Sequence, residues 1–246
     1  MDIEIYKLIL IAVIVFVATF TQTVTGFGFG IVAMIFLPSF LLYTESNMLS
    51  SILSTVTSLF VVLVLLKHVS WKNIIFPLIG STITNYLAVT FVKTTKNEIL
   101  MLILGIALFL LSIYFFFFSN KIKIRPTWYS GLIAGLISGA MGGLFSISGP
   151  PVVIYYMQSE DNVNKYLATI SSYFVLSGII TVVTKAISGF MTVGVWWGLA
   201  FGVVGLVVGA LVGRFARGKA NPSLIKKLVY LVMAISGLVN VITSLV

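Results

Sequence analysis

Apolar runs dominate the chain, and only a few polar residues separate one run from the next. Several runs are about 20 residues long, the length that an α-helix needs to cross the hydrocarbon core of a bilayer. The apolar segments lie at residues 5–25, 28–43, 47–67, 71–93, 96–119, 126–141, 149–157, 163–185, 190–213 and 223–246. Because 59% of the residues are hydrophobic and only 9% are charged, a soluble globular fold is excluded. The sequence predicts an all-α polytopic membrane protein, with the lipid bilayer as its partner.

The placement of the basic residues and the counts of cysteine and histidine argue against several classes of function. The net charge is +9, but the basic residues cluster at the ends of apolar runs, as in KIKIR at 121–125. This placement is typical of membrane topology signals, so we expect no nucleic-acid partner. The chain has no cysteine and a single histidine, His68, at the end of a run. We therefore expect no metal site, no cofactor and no enzymatic activity, since an intramembrane enzyme needs a nucleophile with a base, paired acids or a metal cluster.

The acidic residues give no sign of a proton pathway. Intramembrane carboxylates are the usual proton relays of pumps and transporters. Here every acidic residue sits at the end of a segment: Asp2, Glu4, Glu45, Glu98, Glu160 and Asp161. A relay of protons through buried side chains is therefore not expected.

Three glycines interrupt the first pair of apolar segments, in TQTVTGFGFGIVAMIFLP at 21–38. Gly26, Gly28 and Gly30 each disfavour a helix interior by about 1 kcal/mol relative to alanine. Non-helical backbone at membrane depth persists only where protein buries it or where it lines a water-filled cavity. We predict a hairpin bent at Gly26–Gly30, with a half-helix that begins near Ile31. The free N–H groups and positive dipole end of such a half-helix favour an anion.

The same order of segments starts again near residue 126. SGLIAGLISGAMGGLFSISGPPVVIYYM forms a second broken pair, which we expect to turn around Gly142–Pro151. Three fuller segments follow the broken pair in each half, and Glu45 and Glu160 occupy matching places after the two pairs. The sequence predicts two membrane repeats, 1–120 and 121–246, within one integral membrane domain. Each repeat is a glycine-broken helical hairpin followed by three transmembrane helices.

The distribution of lysine and arginine favours an inverted relation between the repeats. If each broken pair crosses the membrane once, the 15 basic residues divide seven to eight, which gives no bias. If each pair leaves on the side where it entered, Lys7, Lys93, Lys96 and Lys185 fall on one side and the other eleven fall opposite. Cytoplasmic loops carry the excess of basic residues, so both termini are predicted to be extracellular in a plasma-membrane protein. Inverted repeats with broken helices are a common plan of secondary transporters.

The two broken segments carry a resemblance to a known family. TQTVTGFGFGIVAMIFLP and GAMGGLFSISGPPVVIYY resemble the paired signature of the TauE/SafE family of sulfite and organosulfonate exporters. The resemblance extends over nearly the whole chain, and it implies export of small sulfur-containing anions. One departure bears on substrate choice, because Ser146 and Ser148 stand where many members carry glycines.

Residues at the two turns are the candidate substrate site. They are Gln22, Thr25, Gly26, Phe27, Gly28 and Gly30 in the first half, and Ser146, Ser148, Gly149 and Pro150 in the second. Asn85 joins them because it is polar in the middle of a span. Several of them have an alternative interpretation. Gly26, Gly28 and Gly30 could be close-packing points between helices, Gln22 and Thr25 could form helix–helix hydrogen bonds, and Asn85 could be a structural amide.

Two functions are open at this stage. The leading hypothesis is a secondary transporter or uniporter for a small oxyanion, which works by alternating access between the repeats. The second is a channel for small anions or neutral solutes, which the same two half-helices could build. The identity of the anion, the direction, the driving force and the oligomeric state, a homodimer included, are left open.

Overall fold

The computed structural model describes residues 5–117, 125–216 and 222–245, and all of the regular structure in these ranges is helical. The predicted all-α class is therefore confirmed. The helices are α1 (Ile5–Thr25), α2 (Phe29–Phe36), α3 (Tyr43–Leu65), α4 (Trp71–Thr94), α5 (Asn97–Phe117), α6 (Trp128–Phe145), α7 (Gly149–Ser159), α8 (Val163–Ile187), α9 (Val193–Ala216) and α10 (Pro222–Leu245). Short 3-10 turns at Leu37–Ser39 and Leu66–His68 extend α2 and α3. Most of the KIKIR cluster lies outside the described residues.

The outer surface of the bundle is apolar. Leu63, Leu110 and Val204 are each more than half exposed, with relative accessibilities of 66%, 59% and 61%. Seven of the described helices are long and apolar enough to cross a membrane. A surface of this kind is stable against hydrocarbon and not against water, so the chain is a multi-pass membrane protein.

Both halves begin with a broken pair of helices. The second pair is a hairpin: the Ser138 hydroxyl donates to the Ser148 carbonyl oxygen at 2.6 Å. Further along α7, the Tyr155 ring packs on Gly131, where an added Cβ would lie 3.1 Å from the Tyr155 hydroxyl. Since Gly131 lies near the start of α6, α7 runs back along α6.

The first pair also returns to the end of the bundle from which it started. The Thr192 hydroxyl, just before α9, donates to Glu45 Oε1 at 2.6 Å, so α9 begins beside the start of α3. Helix α1 runs parallel to α9, because Ala12 meets Gly205 and Phe16 meets Gly209. The start of α1 therefore lies at the same end of the bundle as the start of α3.

Helices of one half pack mainly on helices of the other. Small residues permit the closest approaches, as is usual between membrane helices. Helices α4 and α6 run parallel, with Pro77 on Gly135 and Ser81 on Gly139. Two contact pairs define each antiparallel packing. For α3 and α8 they are Thr55 with Gly178 and Ser51 with Lys185, and for α5 and α10 they are Gly105 with Asn240 and Phe109 with Gly237.

Candidate functional site

The first helix break lies between Thr25 and Phe29. Gly26 and Gly28 have φ values of 85° and 107°, a left-handed conformation that strains any side chain. The backbone N–H of Gly26 still donates to the Gln22 carbonyl at 2.8 Å and closes the last turn of α1. Helix α2 begins at Phe29, two residues before the predicted start, because Gly28 serves as its N-cap.

The second break lies between Phe145 and Gly149, within the predicted turn. Helix α6 continues through Gly142 and ends at Phe145, and the next residue, Ser146, has a left-handed φ of 56°. The N–H groups of Ser146 and Ile147 return to the carbonyls of Gly142 and Met141, an arrangement in which glycine usually takes the place of Ser146. A non-glycine residue in this conformation costs roughly 1–2 kcal/mol.

Helix α3 binds the free carbonyl end of α6. The Tyr43 hydroxyl and the Asn47 side-chain amide both donate to the Leu144 carbonyl oxygen, each at 2.6 Å. The Ser146 hydroxyl lies 2.8 Å from the Asn47 carbonyl oxygen. These hydrogen bonds provide partners for backbone carbonyl groups that the helix break leaves without partners at membrane depth.

The two breaks meet in the middle of the bundle. A Cβ added to Gly30 would overlap the carbonyl oxygen of Ser146, and one added to Gly149 would lie 3.2 Å from the Phe27 ring. The third glycine of the motif therefore permits a close approach of two backbones, whereas Gly26 and Gly28 permit the turn.

A cavity of about 40 Å³ lies where the breaks meet. At ~10–15 Å³ for each water molecule, this space holds a group of a few heavy atoms. Hydroxyl groups of α3 and α8 form one part of its wall, and apolar side chains form another. The lining residues include Gln22, Phe27, Gly28, Phe29, Gly30, Ile31, Ser51, Ser54, Thr55, Gly142, Ser146, Ser148, Gly149, Pro150, Phe174, Ser177 and Thr181.

Comparison with known proteins decides the family. The model of the family described as Sulfite exporter TauE/SafE matches residues 10–239, nearly the whole chain. The chain belongs to the TauE/SafE family. No curated protein and no solved structure matches it. Family membership implies a membrane transporter of sulfite or related anions.

Eight of the eleven candidate residues line the cavity of this TauE/SafE protein. Gln22 is one of them, and its amide Nε2 also donates to the Ser58 hydroxyl at 2.7 Å and to the Ser54 carbonyl at 3.3 Å. Its helix–helix role and its place in the wall therefore coexist. The other seven are Phe27, Gly28, Gly30, Ser146, Ser148, Gly149 and Pro150.

Three candidates lie away from the cavity wall. The Thr25 hydroxyl is within hydrogen-bond distance of the carbonyls of Thr21 (2.8 Å) and Phe27 (2.6 Å), and it caps the first break. Gly26 packs on Leu167. Asn85 donates to the Thr181 hydroxyl at 2.9 Å, in a small polar space beside the cavity.

Lys185 is a functional candidate that the sequence analysis did not identify. The distribution of basic residues predicts a topology signal at this span end, but the structure buries Lys185 completely. Its ammonium contacts Asn47 Oδ1, Ser51 Oγ at 2.7 Å, Ser146 Oγ at 3.0 Å and the Gly142 carbonyl at 3.2 Å. Lys185 is therefore not a basic residue at the membrane surface, as the topology count assumes, because the last turn of α8 packs on α3 and on the second break.

One pattern in the sequence could have revealed it. Ser177, Thr181 and Lys185 recur at intervals of four, which places them on one face of α8. Ser177 and Thr181 line the cavity. A lysine that continues a polar face of an apolar helix is a functional candidate.

Proposed function

We propose that this TauE/SafE protein is a plasma-membrane secondary transporter that exports sulfite or organosulfonate anions by alternating access. The observation that carries the proposal is the meeting of two helix breaks at one small, hydroxyl-lined cavity inside the bundle. Discontinuous helices whose N-termini point at an anionic group are a recurring site design in secondary transporters.

The two half-helices would contribute differently to binding. The first N–H groups of a helix have no partner within it, and at α2 these belong to Phe29, Gly30 and Ile31, all in the cavity wall. At α7, Pro150 and Pro151 lack an N–H. We infer that α2 offers backbone donors, while the second break offers mainly serine hydroxyls and the positive end of the α7 dipole.

Antiparallel packing supports the inverted-repeat model. In that model α3 corresponds to α8, and α5 corresponds to α10. An axis in the membrane plane would make such corresponding helices antiparallel, and both pairs are. The model also pairs α1 with α6 and α4 with α9, so the parallel packings of α1 on α9 and α4 on α6 would be equivalent contacts.

Topology provides the first prediction. With Lys185 buried, three basic residues remain on the proposed outer side against eleven on the other. We expect a cysteine in place of Lys93 to be labelled by an impermeant maleimide in intact cells, and a cysteine in place of Lys123 only after permeabilisation. Labelling of both positions from outside contradicts the inverted arrangement. Lys123 itself lies outside the described residues.

The second prediction concerns flux, which distinguishes a carrier from a channel. We take the close approach of the Gly30 and Ser146 backbones to favour a carrier, because it leaves little space between the two breaks at this point. Purified protein in liposomes should take up labelled methanesulfonate with saturation, and unlabelled methanesulfonate inside should accelerate the uptake. Unsaturable flux with ohmic single-channel current would instead identify a channel. No transport of either sulfite or methanesulfonate would overturn the proposed function.

A further inference from the structure

Lys185 is the only buried charged residue among the side chains that the structure describes. An ammonium has three N–H donors and no acceptor. All of its four contacts are neutral oxygens, which come from Asn47, Ser51, Gly142 and Ser146. These contacts satisfy its hydrogen bonds but leave its charge uncompensated.

The carboxylates in the described ranges are engaged or exposed elsewhere. Glu45 accepts from Thr192, and Glu160 accepts from the side chains of Ser70 and Asn73 at 2.8 and 2.9 Å. Asp161 pairs with Lys165 at 3.0 Å, and Glu98 is exposed in the first turn of α5. A buried charge without a counter-ion carries a penalty of several kcal/mol, which an arriving anion would relieve.

The cavity is the place where such an anion can lie. Ser51, Gly142 and Ser146 each contact the ammonium and also line the cavity, whereas Lys185 itself does not. The charge is therefore one layer behind the wall. An anion in the cavity would feel its field while hydrogen-bonding to neutral groups.

We propose that Lys185 is the fixed positive charge that makes this cavity bind a monovalent oxyanion head group, such as a sulfonate, through the intervening hydroxyls of Ser51 and Ser146. This inference rests on the proposed function and deepens it. One fixed charge matches one negative charge. The apolar wall of Phe27, Phe29 and Phe174 matches the carbon substituent that distinguishes a sulfonate from sulfate. Lys185 is thus a positioning residue, which acts without touching the substrate.

The test removes the charge and compares two probes of similar shape. Methanesulfonate carries one negative charge, and methanesulfonamide is its neutral analogue. Lys185→Met should raise the Kd of methanesulfonate by about 10- to 100-fold, as expected for loss of a nearby charge in a medium of intermediate dielectric constant. The Kd of methanesulfonamide should stay within about twofold, because a neutral ligand has no net charge to interact with the ammonium. Calorimetric titration of the purified protein measures both.

The matched control is Lys165→Met. It removes the same charge from the same helix, but Lys165 is 41% exposed and pairs with Asp161, so we expect both Kd values to be unchanged. Lys185→Gln is the second variant, since it removes the charge but keeps a donor for Asn47. Loss of folding in both variants at Lys185 would make the residue structural and overturn the proposal.

Three further outcomes of these measurements would each overturn one of the two proposals. Wild-type-like binding of methanesulfonate by Lys185→Met overturns the inference while leaving the proposed function intact. An equal loss for both probes also overturns it, because a defect in packing and not in charge would then be responsible. Absence of sulfite and methanesulfonate binding and transport in the wild type overturns the proposed function itself.

Discussion

Gly30→Ala is expected to abolish transport and to destabilise the protein. The added Cβ would overlap the Ser146 carbonyl oxygen, and this atom belongs to backbone that cannot rotate away. The two breaks must then separate, which deforms the cavity on both sides. Overpacking of this kind costs about 1–3 kcal/mol or more. Methanesulfonate flux in liposomes and thermal unfolding in detergent measure the two effects.

Gly189→Ala is the control for the loss of a glycine. Gly189 has a φ of 90°, but an added Cβ meets nothing within 4 Å. We expect a strain of roughly 1–2 kcal/mol and normal transport. Normal flux in Gly30→Ala would show that transport does not depend on the contact between the breaks.

We expect the membrane voltage to drive transport without a coupled ion. Moving one charge through 100 mV is worth about 2.3 kcal/mol, or roughly a 50-fold concentration ratio. Because the described carboxylates lie outside the cavity wall, no acidic side chain there offers a relay for protons. Efflux of methanesulfonate from liposomes should rise steeply when the interior is made negative with valinomycin and a potassium gradient.

The control for this measurement is the same voltage step in liposomes without protein. Efflux should persist when the pH and sodium concentrations are equal on the two sides. A strict need for either gradient, with no response to voltage, would contradict uniport and would require a coupling site that the cavity wall does not supply.

Much of the fold was predictable because its signals are local. The lengths of the apolar runs set the helices, and most of the helices in the described residues follow the predicted apolar segments to within a few residues. The exception is the boundary between the second and third segments, because α2 ends at Phe36 and α3 already begins at Tyr43. The two breaks were predictable because they depend on residue type alone. Glycine at positions 26 and 28 permits a left-handed turn, and Pro150 lacks the N–H that a helix interior needs.

The wall of the cavity was predictable only in part. The sequence indicated the residues beside the two breaks, such as Gln22, Ser146 and Ser148, because the breaks themselves bring these residues to the centre. It did not indicate Ser51 of α3 or Ser177 of α8. Whether these serines line the cavity depends on which helices pack on the breaks. A serine in an apolar helix can equally face lipid, another helix or its own backbone, so the sequence does not show which serines face the cavity.

The role of Lys185 was decided by the tertiary structure. A lysine in the last turn of an apolar helix is usually a snorkelling residue, whose charge reaches water at the membrane surface. In this protein α3 and the second break cover that turn and surround the ammonium with oxygens. By itself, the sequence determined the helices and where two of them break. Only the packing of α3 and α8 around the breaks determined that the Lys185 amine lies buried behind the cavity wall, because burial depends on contacts between distant segments.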